Sequence, residues 1–346
     1  MPKTQNRAVM IWLFIFAFFV GFIVLWGGFT RLTRSGLSIV QWNPISGAMP
    51  PIGQQAWQEE FAQYQKTPEF QKVNFNMTLD EYRYIFYIEW FHRNLARSAG
   101  LVYAIPVFFF LFTKRIPWKE FGIYFLIGIL FITQAFAGWY MVASGLEDQP
   151  AVSHYLLTLH LFIALSLLGL SFWVALGHRF GFAQGKAKFS TPTKLAIATF
   201  ICVLIQIAYG GFTSGLKAGF ISDTWPLMFG QLIPSGLLGA LQPWTLNLVA
   251  APATVMFIHR WFAFAVLAIA VIVYLTVRRL KFPREAQTAA LILLGLILLQ
   301  GLLGISIVLS HVQIAIALTH QAVAITLFAS TIYLIYRLHA ADHQLA

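Results

Sequence analysis

Between residues 286 and 336 the chain carries no Lys, Arg, Asp or Glu. One bilayer crossing takes roughly 20 residues. The run is too long for a single span, so a tight turn near 310–313 must break it into a hairpin. Backbone groups inside hydrocarbon have to be paired within the structure, which here means helices. A second charge-free run covers 8–29, and the pattern recurs along the whole chain. Eight spans are placed at 8–29, 82–112, 119–143, 152–177, 194–216, 249–277, 287–309 and 312–336. Only 10% of residues are charged, against about 25% in a soluble domain. The fold class is all-α integral membrane, with eight transmembrane helices.

Lys3 and Arg7 precede the first run as in a signal peptide, but the apolar stretch is too long for an h-region and no small-residue cleavage site follows. It reads as a retained membrane helix. The net charge of +11 comes from short segments between spans, so the positive-inside rule explains it better than nucleic acid, which is not expected as a partner. Lys3, Arg7, Lys114, Arg115, Lys119, Arg179, Lys186, Lys188, Lys194, Arg278, Arg279, Lys281, Arg284 and Arg337 share one side, which is read as cytoplasmic. Glu59, Glu60, Glu69, Asp80, Glu81, Glu147, Asp148 and Asp223 fall outside. Both termini are then inside. The long outer segments are 31–81, with a short interfacial helix expected at 57–64, and 216–248.

The chain reads as an internal duplication. Gly27-Gly28-Phe29-Thr30 recurs as Gly210-Gly211-Phe212-Thr213, and Gly36 with Trp42 recurs as Gly219 with Trp225. His92-Arg93 recurs as His259-Arg260, Gln134 with Gly138 as Gln300 with Gly304, and His160 as His320. An extra stretch around 144–150 shortens the offset for the last match. With an even number of helices in each half, both halves face the same way. Two four-helix bundles, 1–180 and 181–346, are therefore expected about a pseudo-twofold along the membrane normal, unlike the inverted repeats of many transporters.

Of the nine histidines, His178, His339 and His343 fall at the cytoplasmic edge and His311 at the outer turn. His154 reads as interfacial rather than as a ligand. His92, His160, His259 and His320 lie in the even-numbered spans, each about 12–15 Å below its outer helix end at 1.5 Å per residue. Zinc would want a third protein ligand, and only the first half offers a nearby carboxylate. Facing histidines in a four-helix bundle suit heme iron. The single cysteine, Cys202, and the lack of any C-x-x-C-H site mean that such heme is held without a covalent link.

Arg93 and Arg260 follow two of these histidines. At membrane depth they must snorkel or find a partner. Heme propionates are one partner, and a salt bridge from Arg93 or Arg97 to Glu89 is the other. The halves differ at one telling position, where Glu89 of the first is replaced by Met256 in the second. Glu89 and His92 are three apart and share a helix face. A carboxylate in apolar surroundings can exchange protons. Chemistry is accordingly assigned to the first half and a supporting cofactor to the second. A diheme b-type electron-transfer protein that handles quinol shares the histidine pattern but has no need of Glu89. A transporter would want paired acids at the midplane, and Glu89 is the one intramembrane acid in these spans.

With Glu-x-x-His-Arg at 89–93, duplicated Gly-Gly-Phe-Thr, outer Trp42-Asn43-Pro44 and histidines in the even spans, the sequence resembles the heme A synthase family over nearly its whole length. The resemblance implies heme O as substrate between His92 and His160, and a heme b cofactor between His259 and His320. It implies oxidation of the C8 methyl group of heme O to a formyl group, with Glu89 as the catalytic carboxylate. It further implies heme O synthase and the cytochrome oxidase assembly machinery as partners, along with an electron acceptor. Membrane lipid surrounds the protein, and a homo-oligomer is compatible with the pattern. Some family members carry a cysteine pair in the outer loops. This chain resembles the cysteine-free proteobacterial and mitochondrial branch, and with no long transit peptide the expected location is a bacterial inner membrane, with the heme sites toward its outer side.

Overall fold

A computed structural model describes residues 5–147, 150–182 and 188–345. Lys3, Asp148 and Lys186, used above for orientation, lie outside the described residues. Eight helices are long and apolar enough to cross a membrane. They are α1 (Arg7–Leu32), α4 (Leu79–Phe112), α5 (Phe121–Ala143), α6 (His154–Phe180), α7 (Thr191–Gly215), α9 (Pro252–Arg279), α10 (Arg284–Leu309) and α11 (Ile314–Leu345). Three shorter helices complete the set: α2 (Gly53–Tyr64), α3 (Pro68–Lys72) and α8 (Asn247–Ala250). Among the described residues there is no β-strand, only an isolated bridge between Met228 and Gln231.

The expected hairpin turn falls between Leu309 and Ile314. His311 and Val312 take left-handed backbone there, with φ of 53° and 62°. Two helix ends run past the apolar stretches that signalled them. The N-terminal end of α4 is extended by a capping box. The Thr78 hydroxyl accepts from the Glu81 N–H at 3.4 Å, and the Glu81 carboxylate accepts from the Thr78 N–H at 2.8 Å. The C-terminal end of α11 continues through Arg337 because Leu338 and Ala341 remain buried. Asp342 also accepts from the Ser190 N–H at 3.1 Å and the Thr193 hydroxyl at 2.7 Å, at the start of α7.

The chain divides into two compact units. One comprises Met1–Leu13 with Gly169–Ala346, and the other comprises Phe14–Leu168. In the first, α7 packs on α9, α9 on α10, α10 on α11, and α11 back on α7, which closes a four-helix bundle. Val203, Val266, Ala270, Val273, Leu293, Ile297, Leu327 and Leu334 fill its core. The loop between α7 and α9 is gathered by Asn247, which is fully buried. The Asn247 amide donates to the carbonyls of Leu238, Leu241 and Trp244, and its oxygen accepts from the Leu241 N–H.

In the 14–168 unit, α1 lies along α4, where Trp26 Nε1 donates to the Ile88 carbonyl at 3.1 Å. α5 packs on α4 through Gly100 against Phe131 and Gly128 against Tyr103. The expected interfacial helix is α2, and it docks by burying Trp57 and Tyr64 against Tyr82, Ile85 and Phe86 of α4. The Tyr64 and Tyr82 rings stack at 4.9 Å. This docking places the loop between α1 and α2 over the segment of α4 that carries Glu89 and His92.

Candidate functional site

Each of the four histidines rests its ring on a glycine of a neighbouring helix. His92 of α4 meets Gly27 of α1, and His160 of α6 meets Gly138 of α5. In the other unit His259 of α9 meets Gly210 of α7, and His320 of α11 meets Gly304 of α10. His92 and His160 are close enough for their charges to interact, and so are His259 and His320. His92 thus neighbours His160, and His259 neighbours His320, each couple within one unit. Contrary to expectation, the four do not lie at one distance from their helix ends: His160, His259 and His320 lie within about two turns of theirs, whereas His92 lies beyond three because α4 begins as early as Leu79.

Glutamines accompany the rings. Gln134 Nε2 lies 3.2 Å from His160 Nε2. Gln206 Nε2 lies 3.2 Å from His259 Nδ1 and donates to the His259 carbonyl at 2.9 Å. The Nδ1 atoms of His92, His160 and His320 are buried with no hydrogen-bond partner among the described residues. A buried polar atom without a partner costs about 1–3 kcal/mol. The rings as wholes are only half-buried. Rings with unspent nitrogens, paired across helices, fit axial ligation of heme iron. A bare metal ion fits less well, since no three His, Cys, Asp or Glu side chains converge among the described residues.

Glu89 is 3% exposed, but its surroundings are polar rather than apolar as expected. Oε2 accepts from the Ser38 hydroxyl at 2.7 Å and from the Ile39 N–H at 2.9 Å. Oε1 accepts from Arg93 Nε at 3.0 Å and from its Nη2 at 2.6 Å. Arg93 also donates to the carbonyls of Ile39 and Gln41, at 2.8 and 3.2 Å. Of the two arginines open to pairing with Glu89, Arg93 makes the salt bridge. Arg97 instead reaches Asn94 Oδ1 and the carbonyls of Asn43 and Pro44.

Arg260 repeats the posture of Arg93. It donates to the carbonyls of Ser222 and Thr224, both at 3.0 Å. These residues stand to Gly210 as Ile39 and Gln41 stand to Gly27, so the duplication extends to individual hydrogen bonds. Where Arg93 meets a carboxylate, Arg260 meets Met256 Sδ at 3.7 Å, and its Nε is buried without a partner. Trp42 packs on Trp139 at 5.8 Å, and Trp225 on Trp261 at 6.2 Å.

The other histidines lie apart from these pairs. His311 is exposed and 3.8 Å from Asp223. His178 accepts from the Asn6 N–H at 3.2 Å, and the His339 and His343 rings lie 4.7 Å apart. His154 stands in the first turn of α6 against Tyr155.

Several residues at the site escape a search for reactive side chains. Ser38 and the carbonyls of residues 39 and 41 carry no sequence signature. Glu60 of α2 lies near enough to Arg93 to sense its charge, yet burial dominates and raises its carboxyl above the usual range. Gln206 could have been found, because Gln-x-x-x-Gly occurs at 134–138, 206–210 and 300–304.

Residues 10–332 match the family model COX15-CtaA, described as cytochrome oxidase assembly protein. The chain is 42% identical over 271 residues to the heme A synthase of Wolbachia sp. subsp. Brugia malayi (strain TRS), covering 78% of this chain and 80% of that one. It is 45% identical over 271 residues to the heme A synthase of Maricaulis maris (strain MCS10), covering 76% of each. With the heme A synthase of Chelativorans sp. (strain BNC1) it shares 41% identity over 307 residues, 87% of this chain and 83% of that one.

Proposed function

This chain belongs to the COX15-CtaA family of cytochrome oxidase assembly proteins, and on that premise we propose that it is a heme A synthase, oxidising the C8 methyl group of heme O to the formyl group of heme A. The observation that carries this reading is the contrast between two like histidine pairs, of which one alone has a buried carboxylate, Glu89, on the same helix face as its histidine. Residues 1–180 hold the substrate site, with His92 and His160 as ligands to heme O. Residues 181–346 hold heme b between His259 and His320. When bound, heme b supplies the redox chemistry through which electrons leave toward an acceptor.

The protein's own groups do the rest. His92 and His160 would orient the substrate so that its methyl group faces Glu89. Both oxygens of Glu89 are already engaged, so accepting a proton requires one donor to leave. Ser38 is the donor that turns away at least cost, because its hydroxyl also reaches the Ile85 carbonyl at 3.3 Å. The proton then resides on Oε2, while Arg93 keeps Oε1 in place. Arg93, Arg97 and Arg260 tie the outer loops over the helix ends, with heme propionates as further partners.

The protein sits in a bacterial inner membrane with both termini cytoplasmic and the heme sites toward the outer side. It takes heme O from heme O synthase and passes heme A to the oxidase assembly machinery. The test is chromatography of hemes extracted from protein co-produced with a heme O supply. Heme A or heme O beside heme B supports the synthase, whereas heme B alone points to a diheme electron-transfer protein.

A further inference from the structure

We infer that Gly27, Gly138, Gly210 and Gly304 are positioning residues that set the planes of the four heme-ligand imidazoles, more tightly in the 14–168 unit than in the other. The inference rests on the heme reading above and concerns how the protein orients the ligand rings.

A Cβ placed on Gly138 would lie 2.8 Å from His160 Cε1, with Nδ1 and Nε2 at 3.4 and 3.5 Å. On Gly27 it would lie 3.0 Å from His92 Cε1, with the nitrogens at 3.6 and 3.7 Å. The other unit repeats the arrangement with more room, at 3.3 Å from His259 Cε1 for Gly210 and 3.4 Å from His320 Cε1 for Gly304. In all four cases the nearest atom is Cε1, the carbon between the two ring nitrogens. Each imidazole therefore turns the same edge toward its neighbouring helix, and that orientation fixes where both nitrogens point. A methyl group at Gly138 would push the ring aside and re-aim the nitrogen that holds iron. At Gly27, Gly210 or Gly304 a shift of a few tenths of an ångström suffices, and Gly27 asks the most of the three.

The seat of His92 differs in one further respect. A glutamine stands one turn before Gly138, Gly210 and Gly304, and Ile23 stands at that place before Gly27. The His92 seat therefore has its glycine without the glutamine that accompanies the other three.

The helices supply their own controls. Gly122 on α5 and Gly301 on α10 have nothing within 4 Å of an added Cβ. The experiment makes Gly27→Ala, Gly138→Ala, Gly210→Ala, Gly304→Ala, Gly122→Ala and Gly301→Ala in the full chain and purifies each with its pigment. Two readouts are taken: the heme O plus heme A to heme B ratio in the extract, and the low-spin signals in electron paramagnetic resonance.

Gly138→Ala should lower the ratio about tenfold or more, the usual effect of misplacing a metal ligand, and Gly27→Ala should lower it by less, with the heme b signal unchanged in both. Gly210→Ala and Gly304→Ala should shift the heme b signal while retaining the pigment. Gly122→Ala and Gly301→Ala should match wild type. A general folding defect is separated by a double-mutant cycle. The melting loss of Gly138→Ala should vanish in a His160→Ala background, where the clashing ring is gone. Silent Gly138→Ala and Gly27→Ala variants beside a normally loaded wild type would overturn the inference and leave the heme reading standing. So would a melting loss that persists undiminished in His160→Ala. A wild type that carries no heme would overturn both.

Discussion

Replacing Glu89 with Gln keeps the side chain's shape and exchanges one acceptor oxygen for a donor amide. If the amide takes the Oε1 place it confronts Arg93 Nε and Nη2, and the ion pair is lost. If it takes the Oε2 place, Ser38 can rotate its hydroxyl to accept, but the Ile39 N–H is left facing a donor. The second arrangement costs less and should be the one adopted. An unpaired buried N–H costs about 1–3 kcal/mol. Arg93 then faces a neutral oxygen, and breaking a partly buried ion pair brings the total to about 3–5 kcal/mol. The Ile39 and Gln41 carbonyls still hold Arg93, so the loop between α1 and α2 should loosen rather than detach. Purified Glu89→Gln should melt below wild type, make no heme A in cells supplied with heme O, and retain heme b. Glu89→Ala should act alike in heme A formation. A Glu89→Gln protein that forms heme A at the wild-type level would remove the carboxylate from the mechanism. One that melts like wild type would refute the hydrogen-bond reasoning.

Replacing His259 or His320 with Ala should perturb the low-spin heme spectrum of the purified protein, and an unchanged optical spectrum would show that the cofactor pair is wrongly assigned. Asn247→Ala strands the Leu241 N–H and three carbonyls in a buried loop, so unfolding stability should fall by about 2–4 kcal/mol, read as a lower midpoint in thermal melts of detergent-solubilised protein. Glu60 has a raised folded-state pKa because burial outweighs the pull of Arg93. The folded protein then binds this proton more tightly than the unfolded chain, so its stabilising effect is present at low pH and is lost as pH rises through the folded value. Glu60→Gln should therefore melt above wild type at neutral pH and match it near the unfolded pKa. The same gap at both pH values would refute this.

The eight spans, the turn at 310–313 and the helices that carry the four histidines could be read from the chain because each rests on a local rule. A charge-free run of sufficient length has to be a helix in lipid, and a repeated histidine keeps its place in a repeated helix. The surroundings of Glu89 could not be read in this way. Spacing placed the carboxylate beside His92 and its neighbours in sequence are apolar, yet two of its partners, the Ser38 hydroxyl and the Ile39 N–H, come from some fifty residues away, as does the Ile39 carbonyl that holds Arg93. The choice between Arg93 and Arg97 was open for the same reason, since both lie on one helix face and loop carbonyls decide which of them is free to pair.

The amino-acid order by itself determined the membrane class and the helical composition, because hydrophobic length and repeat spacing are properties of neighbouring residues. Only the tertiary structure decided that the carboxylate is clamped, that each ring lies on a glycine, and that Arg93 and Arg260 hold equivalent carbonyls. Those depend on which backbone atoms of a distant loop or neighbouring helix arrive within 3 Å or so of a side chain, and packing sets that distance.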